Sequence, residues 1–368
     1  MNILRVVNSL YPSAVGGTEI HAHELSRAQA SLGNKVTVLT SRMGGWPATE
    51  DRDGYHIIRT RPLFNPLGNA IQPTVFLKLV DLRSEMDIIH AHSHLSFSSG
   101  LCAAFRHVRS TPLVITDHGL ISQTASAKFQ DLYLPTVARW IYRSADGIIC
   151  YTEVEKAGLV ELGIPEEKIA VIHNGIDTGL FRPASPREES EQLLWIGRYT
   201  PGKGVRYLID AFAQLKKDNP RLSLLMVGKG PEKAAIAERV RELGLNGSVI
   251  MNDFVPNDEL PDIYRRSRAF VLPSIEEGVP RALLEAMACG VPAVCTSLPQ
   301  LVDIVSGAGL LVPVRDSRAI AEQLSRILSD DALSARLGEV GTERVRSQYS
   351  WDDTVRRTLS YFEGIITN

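Results

Sequence analysis

The chain has 368 residues, is 44% hydrophobic and 22% charged, and carries a formal net charge of −2. That is too long for one ordinary domain and comfortable for two in a soluble protein. The balanced charge, with no basic arm or acidic tail in either half, argues against nucleic acid as the main partner. Cys102, Cys150, Cys289 and Cys295 show no metal-ligand spacing, so buried free thiols in a reducing compartment are expected. The N-terminal apolar run is too short for a signal peptide, and no stretch approaches the roughly 18–20 apolar residues of a membrane span. A cytoplasmic protein is expected, with the inner face of the membrane as a second location.

In chain order, residues 2–8 read as an apolar strand. Gly16-Gly17 then leads into a helix, with Thr18 as the expected N-cap and Gly33 at its end. A flexible backbone and a helix dipole suit phosphate here, although a plain turn explains the glycines equally well. The GxGxxG fingerprint is absent, which argues against a nicotinamide enzyme. A strand at 35–40 precedes a polar loop containing Asp51-Arg52-Asp53, a strand at 55–60, a Pro/Asn/Gly-rich loop at 61–70 and a helix to about Glu85. The strand 87–92 runs on to His94, and 112–119 ends in Asp117-His118-Gly119. Helix 128–144, strand 146–152, helix 153–162 and strand 168–174 follow.

Residues 174–191, rich in turn formers and then in charge, Ser and Pro, break the rhythm and read as a linker. The alternation restarts with strands at 192–197, 222–228, 248–253, 269–273, 291–296 and 309–314, and three helices close the chain. Short β-branched strands with helical crossovers imply parallel sheets buried on both faces. The expected fold is α/β: two tandem doubly wound Rossmann-like domains facing a cleft, at 1–174 and 192–348, with a linker at 175–191. Residues 349–368 are expected to form a helix packing back towards the first domain. Ligands in such sheets bind at the carboxyl ends of strands.

The chemistry gathers at those ends. Gly197-Arg198 to Lys203-Gly204 follows an apolar strand and precedes a helix, so two cations and a helix start suit a diphosphate. The spacing is not that of a Walker A loop. Pro273 to Pro292 reads as a strand end, an acidic loop and an apolar helix, with Pro280 in its first turn and Gly290 past its end. Glu285 lies inside this helix and Glu277 before it. A buried carboxylate needs a partner. Arg281, four residues from Glu285, is one candidate and a ligand is the other. His90, His92 and His94 alternate as on one strand face, which lines a cleft more readily than it holds a metal. Helix 132–143 carries Arg139, Trp140, Tyr142 and Arg143. Core packing with a solvated basic edge is the first reading, and peripheral membrane contact the second.

These pieces, in order, resemble the retaining GT-B glycosyltransferases of family 4 over nearly the whole chain. They are G-G-T-E-I-H (16–21), D-I-I-H-A-H (87–92), D-H-G (117–119), V-I-H-N-G-I-D (171–177) with F-R-P, G-R-Y-T-P-G-K-G (197–204), M-V-G-K-G-P-E (226–232), the 273–292 stretch and Q-Y-S-W-D-D (348–353). The resemblance implies that Glu277 faces the transferred sugar and Glu285 accepts from the ribose hydroxyls. It implies that Arg198 and Lys203 clamp the diphosphate and that His118 lies at the sugar. By the same likeness the Gly17 N–H approaches the phosphates, the Val255 backbone meets the base, and Gly278 and Val279 lie beside the donor. Many members have Phe-Gly where this chain has Gly278-Val279.

The activity implied is retaining, metal-independent transfer from a UDP-sugar, or a GDP-sugar, to a hydroxyl of a glycan or lipid-linked acceptor, without a cofactor. The acceptor is expected at loops 41–54, 61–72 and 119–131, which Trp46, Phe64, Leu67, Leu120 and Ile121 make apolar. The alternatives are a UDP-sugar epimerase of similar fold and a non-catalytic nucleotide-sugar-binding protein.

Overall fold

The computed structural model describes residues 1–14, 16–119, 127–184 and 191–367. The chain divides into two compact units, Met1–Gly175 with Trp351–Asn368, and Ile176–Ser350.

The first unit is built on an eight-stranded sheet of β1 (Asn2–Val6), β2 (Lys35–Ser41), β3 (Thr49–Arg52), β4 (Tyr55–Thr60), β5 (Ile88–His92), β6 (Leu113–Thr116), β7 (Gly147–Cys150) and β8 (Ile169–Val171). The order is β3-β4-β2-β1-β5-β6-β7-β8, parallel throughout except for β3 against β4. The polar stretch expected to be a loop at Asp51 is therefore an edge strand, and Asp51 bonds the neighbouring His56 at 2.7 Å. Its composition hid it because an edge strand has one pairing side and little to bury. The helix expected to reach about Glu85 spans Thr74–Asp81. The helix at 127–144 contains a π-helical stretch, Leu134–Ala138, between two α-helical ones.

The last helix, Trp351–Thr367, belongs to this unit and protects its open edge. Tyr361 donates to the Lys168 carbonyl at 2.6 Å and accepts from the Ile148 N–H at 3.2 Å. Arg357 donates to the Val171 carbonyl at 2.7 Å, and Thr354 to that of His173 at 2.8 Å. One helical stripe thus satisfies carbonyls in β8 and on either side of it that an edge strand would leave bare.

The second unit holds β9 (Gln192–Ile196), β10 (Ser223–Val227), β11 (Val249–Asn252), β12 (Ala269–Leu272), β13 (Ala293–Thr296) and β14 (Gly309–Val312). All are parallel, in the order β11-β10-β9-β12-β13-β14. Counted within the unit this is 3-2-1-4-5-6, the Rossmann order, and the progression of strands reverses between β9 and β12. A short helix between β13 and β14, Pro299–Val305, has no counterpart in the sequence reading. Part of the stretch read as a linker is core instead: Ile176 and Phe181 are buried with Leu194, Phe270 and Leu283. Residues 185–190 of that stretch lie outside the described residues. All four cysteines are free and buried.

Glycines let the loops at the switch point touch. Gly204 has φ +59°, and a Cβ there would lie 2.1 Å from the Pro273 carbonyl oxygen. A Cβ on Gly228, at φ +151°, would lie 1.8 Å from the Gly197 carbonyl oxygen. These obstacles are backbone atoms and cannot rotate away. Gly204→Ala is expected to destabilise the protein by about 2 kcal/mol or more, read as a lowered midpoint in urea unfolding. An unchanged midpoint would mean that the loops can separate at little cost.

Candidate active site

In the second unit the two loops beside the switch point are joined. The 3-10 turn Pro201–Lys203 presents the Gly202 carbonyl to the N–H groups of Ile275 (2.7 Å) and Glu276 (3.1 Å). Lys203 Nζ pairs with Glu277 Oε1. Ser274 Oγ donates to the same oxygen at 3.1 Å, and Thr296 Oγ1 holds the Ser274 carbonyl at 2.6 Å. Gln300, in the first turn of the missed helix, donates to the Glu277 carbonyl. The Glu277 side chain is only 6% exposed and that of Lys203 17%. The sequence reading placed this glutamate and this lysine in separate roles; the fold makes them an ion pair.

Arg198 is exposed, and no side-chain partner engages it among the described residues. Most N–H groups of its loop are already taken: those of Gly197, Tyr199, Thr200, Lys203 and Gly204 donate to protein carbonyls. The positive character of this loop therefore lies in its two side chains more than in a backbone cradle.

Pro280 is the N-cap of the helix Arg281–Ala288 and not part of its first turn. Glu285 is buried on that helix. It accepts from Arg281 Nε at 2.9 Å through Oε1 and from Tyr264 Oη at 2.9 Å through Oε2. Burial raises its pKa despite Arg281 and Tyr264. The local partner foreseen for Glu285 is therefore present, and Tyr264 is a second. Gly278 is exposed, while Val279 and Val255 are half-buried against the unit's core. Val255 follows β11, the edge strand, with β10 between it and the Arg198 loop. The contacts of Gln300 and Tyr264 are long-range, whereas Ser274 lies three residues from Glu277. Of the three, only Ser274, at the strand end in P-S-I-E-E-G, carried a sequence signal.

In the first unit the helix Gly17–Ser31 begins one residue before the expected cap, with Gly16 as N-cap and no side-chain cap. Its start is partly occupied. Ser9 Oγ holds Glu19 Oε1 at 2.7 Å, and a Cβ on Gly16 would lie 2.3 Å from Glu19 Oε2. A Cβ on Gly17 would meet nothing within 4 Å, so sterics alone do not demand a glycine there.

His118 follows β6. Its Nε2 lies 3.0 Å from His92 Nδ1 and its Nδ1 lies 3.2 Å from Tyr151 Oη. The His21 ring lies edge-on to His92, His118 and Tyr151, at centroid distances of 5.6, 5.5 and 5.7 Å, and 5.4 Å from Trp351. Four motifs separated in sequence thus meet in one cluster. The expectation that His90, His92 and His94 share a face holds for two of them. Ser93 has φ +64°, the chain turns, and buried His94 instead meets Tyr142 Oη at 2.6 Å and Asp117 Oδ1 at 3.4 Å. Tyr142 also donates to Asp117 Oδ1 at 2.7 Å. Asp117 is wholly buried, an anchor for its turn and no accessible nucleophile. Among the described residues no group of three or more His, Cys, Asp or Glu could hold a metal.

Two Rossmann-like units in tandem define the GT-B class of glycosyltransferases, and solved structures agree. Sucrose-phosphate synthase from Thermosynechococcus elongatus superposes with a TM-score of 0.83 at 25% identity, covering 100% of this chain and 99% of that one. Anabaena HepE, solved in complex with UDP, superposes at 0.80 with 19% identity, covering 99% and 100%, a likeness of fold alone. The family model for glycosyl transferases group 1 matches residues 178–344, and that for glycosyltransferase family 4 matches residues 15–180. A D-inositol 3-phosphate glycosyltransferase of Nocardioides is 30% identical over 94% of this chain and 85% of its own length. An uncharacterised glycosyltransferase of Methanocaldococcus jannaschii is 27% identical over 99% and 98%. The chain belongs to the group 1, family 4 glycosyltransferases and is an enzyme of sugar transfer.

Burial holds His118 at a pKa of about 4 against an ordinary 6.5, with Asp117 opposing the shift, and keeps His92 well below 6.5. A group depressed in the folded state binds its proton first in the unfolded chain. Stability from this cluster is therefore complete above about pH 6.5 and is expected to fall as the pH drops towards 4. Thermal unfolding across that range checks it, and a flat profile would show that the histidines take up protons without unfolding.

Proposed function

We propose that the chain moves a sugar from a nucleoside diphosphate, UDP favoured over GDP, to a hydroxyl of a glycan or lipid-linked acceptor, with retention and without a metal. The observation that carries this reading is the joined pair of loops at the switch point of the second unit. There Arg198, with no side-chain partner among the described residues, stands in the same loop as Lys203, whose ammonium is held by Glu277, its side chain only 6% exposed. A diphosphate brings negative charge that grows as the sugar departs, and two fixed cations are suited to offset it. An ammonium has three donors, so Lys203 can keep Glu277 and still meet a phosphate oxygen.

In this mechanism the bond from the anomeric carbon to the phosphate oxygen breaks first, through an oxocarbenium-like transition state. The acceptor oxygen bonds to the same face, and its proton passes to the departing phosphate. A double displacement needs a carboxylate beneath the sugar. Burial removes Asp117 from that role, and Lys203 and Ser274 already hold Glu277. Glu285, oriented by Arg281 and Tyr264, accepts from the ribose hydroxyls through its remaining lone pairs. By the family resemblance, Val255 lies at the base, Gly278 and Val279 beside the donor, Gly17 at the phosphates and His118 at the sugar.

The named relatives do not agree on an acceptor. They include a phosphatidylinositol N-acetylglucosaminyltransferase component of Arabidopsis thaliana, 25% identical, and a Mycobacterium tuberculosis glycogen synthase, 26% identical. Exposed Leu63 and Phe64 on the loop after β4 favour an acceptor with an apolar portion. Leu120 and Ile121 lie outside the described residues. A peripheral membrane location is part of this reading, supported by exposed Leu132 and Trp140 beside Arg139 and Arg143; no described helix is long and apolar enough to cross a membrane.

Thermal shift with UDP-, GDP- and ADP-sugars identifies the donor. Labelled donor then shows transfer to an acceptor, whereas a change of stereochemistry alone would indicate an epimerase. Arg198→Ala is expected to lower turnover by ~10²–10³. Glu285→Ala is expected to weaken nucleotide affinity, and Glu277→Ala to damage turnover more than binding. Variants that lose only thermal stability, with intact kinetics, would return both glutamates to a structural role.

A further inference from the structure

His118 offers no free ring nitrogen. Each imidazole nitrogen makes one hydrogen bond, and Tyr151 and His92 take one each. His92 is the less expected partner. It is fully buried, and its Nε2 has no partner among the described residues. Among the described residues its one polar ring contact is therefore the 3.0 Å approach to His118. Burying an imidazole with one nitrogen unsatisfied costs stability that an aliphatic side chain of similar size would not.

The surroundings leave His92 little freedom. Its carbonyl accepts from Ser99 Oγ at 3.2 Å, and its ring packs against His90 with 4.4 Å between centroids. His90 is itself fixed in tautomer. The Arg5 guanidinium can only donate, and it lies 3.3–3.4 Å from His90 Nδ1, so that nitrogen accepts. The His90 Nε2–H then donates to Thr116 Oγ1 at 2.7 Å. Arg5 is wholly buried and is held by Ser26, Gln29 and His90, none of them a carboxylate. A fixed cation in the sheet therefore stands behind a ladder of neutral rings that ends at His118.

We propose that His92 is a positioning residue: through Nδ1 it fixes the ring plane and tautomer of His118, the residue read as lying at the sugar, without touching substrate itself. This rests on the reading that His118 meets the sugar. The test compares His92→Leu, His92→Asn and His118→Ala in the full chain. Asparagine places an amide atom near the lost Nδ1, and leucine does not. The activity readout is nucleotide release from UDP-glucose, UDP-N-acetylglucosamine and GDP-mannose. The second readout, independent of substrate, is the ¹⁵N shift pattern of the His118 ring.

His92→Leu is expected to lower kcat roughly tenfold or more, with the donor KM within about twofold of the parent. His92→Asn is expected to recover most of kcat at a similar melting temperature. The parent and His92→Asn should show one His118 tautomer and His92→Leu a mixture. If His92→Leu keeps both kcat and a single tautomer while His118→Ala loses turnover, the positioning role is wrong and the role of His118 stands. If His92→Asn behaves like His92→Leu in both readouts, the role is likewise wrong. If His118→Ala turns over like the parent, both readings fall together.

Discussion

The second unit depends on how closely backbone can approach backbone where β9, β10 and β12 end. Gly204 lies against the Pro273 carbonyl, Gly228 against that of Gly197, and Gly230 against the backbone of Tyr199. Side chains at these positions would push the three loops apart. Because none is present, the Gly202 carbonyl can reach the Ile275 and Glu276 N–H groups, and Lys203 can reach Glu277. The charged pair is thus a result of backbone geometry: remove the close approach and the two side chains no longer share a site. The Rossmann strand order supplies the other condition, since it sets β9 beside β12 and so brings the loops that follow them together at the switch point.

The first unit solves a different problem. Its sheet buries two arginines, Arg5 and Arg59, and two histidines, His90 and His92, where parallel strands are normally aliphatic. Most of these polar groups are paired: Arg5 donates to His90, which donates to Thr116, and the His118 ring links His92 with Tyr151. Burial keeps these imidazoles neutral. A neutral imidazole can accept at one nitrogen and donate at the other, which an imidazolium cannot do.

Much of this was readable in the sequence where local pattern decides the outcome. The strands of both sheets are short β-branched runs, and the apolar helix with Pro280 before it and Gly290 after it lies within a residue of its expected span. The reading failed where pairing partners decide. Thr49–Arg52 alternates no apolar residues, yet it is a strand because β4 offers it an edge and Glu50 bonds Arg59 at 2.7 Å. His94 leaves the face of His90 and His92 because one residue, Ser93, adopts a left-handed conformation. At the candidate site, the residue types at Arg198, Lys203, Glu277 and Glu285 marked two loops that the fold joins and the helix that follows them. That Lys203 holds Glu277, or that Tyr264 shares Glu285 with Arg281, depends on contacts 74 and 21 residues apart, which no local pattern encodes.

The C-terminal helix has a consequence for synthesis. The first unit needs Trp351–Thr367 to satisfy the carbonyls of Lys168, Val171 and His173 and to pack Trp351 against His21. Those residues leave the ribosome after all of Ile176–Ser350, a delay on the order of ten seconds or more at usual translation rates. During that interval β8 is an uncovered strand edge on a nascent chain. The unit that begins first is therefore the one that finishes last, and its open edge is the place where a chaperone, or a neighbouring nascent chain, would find it.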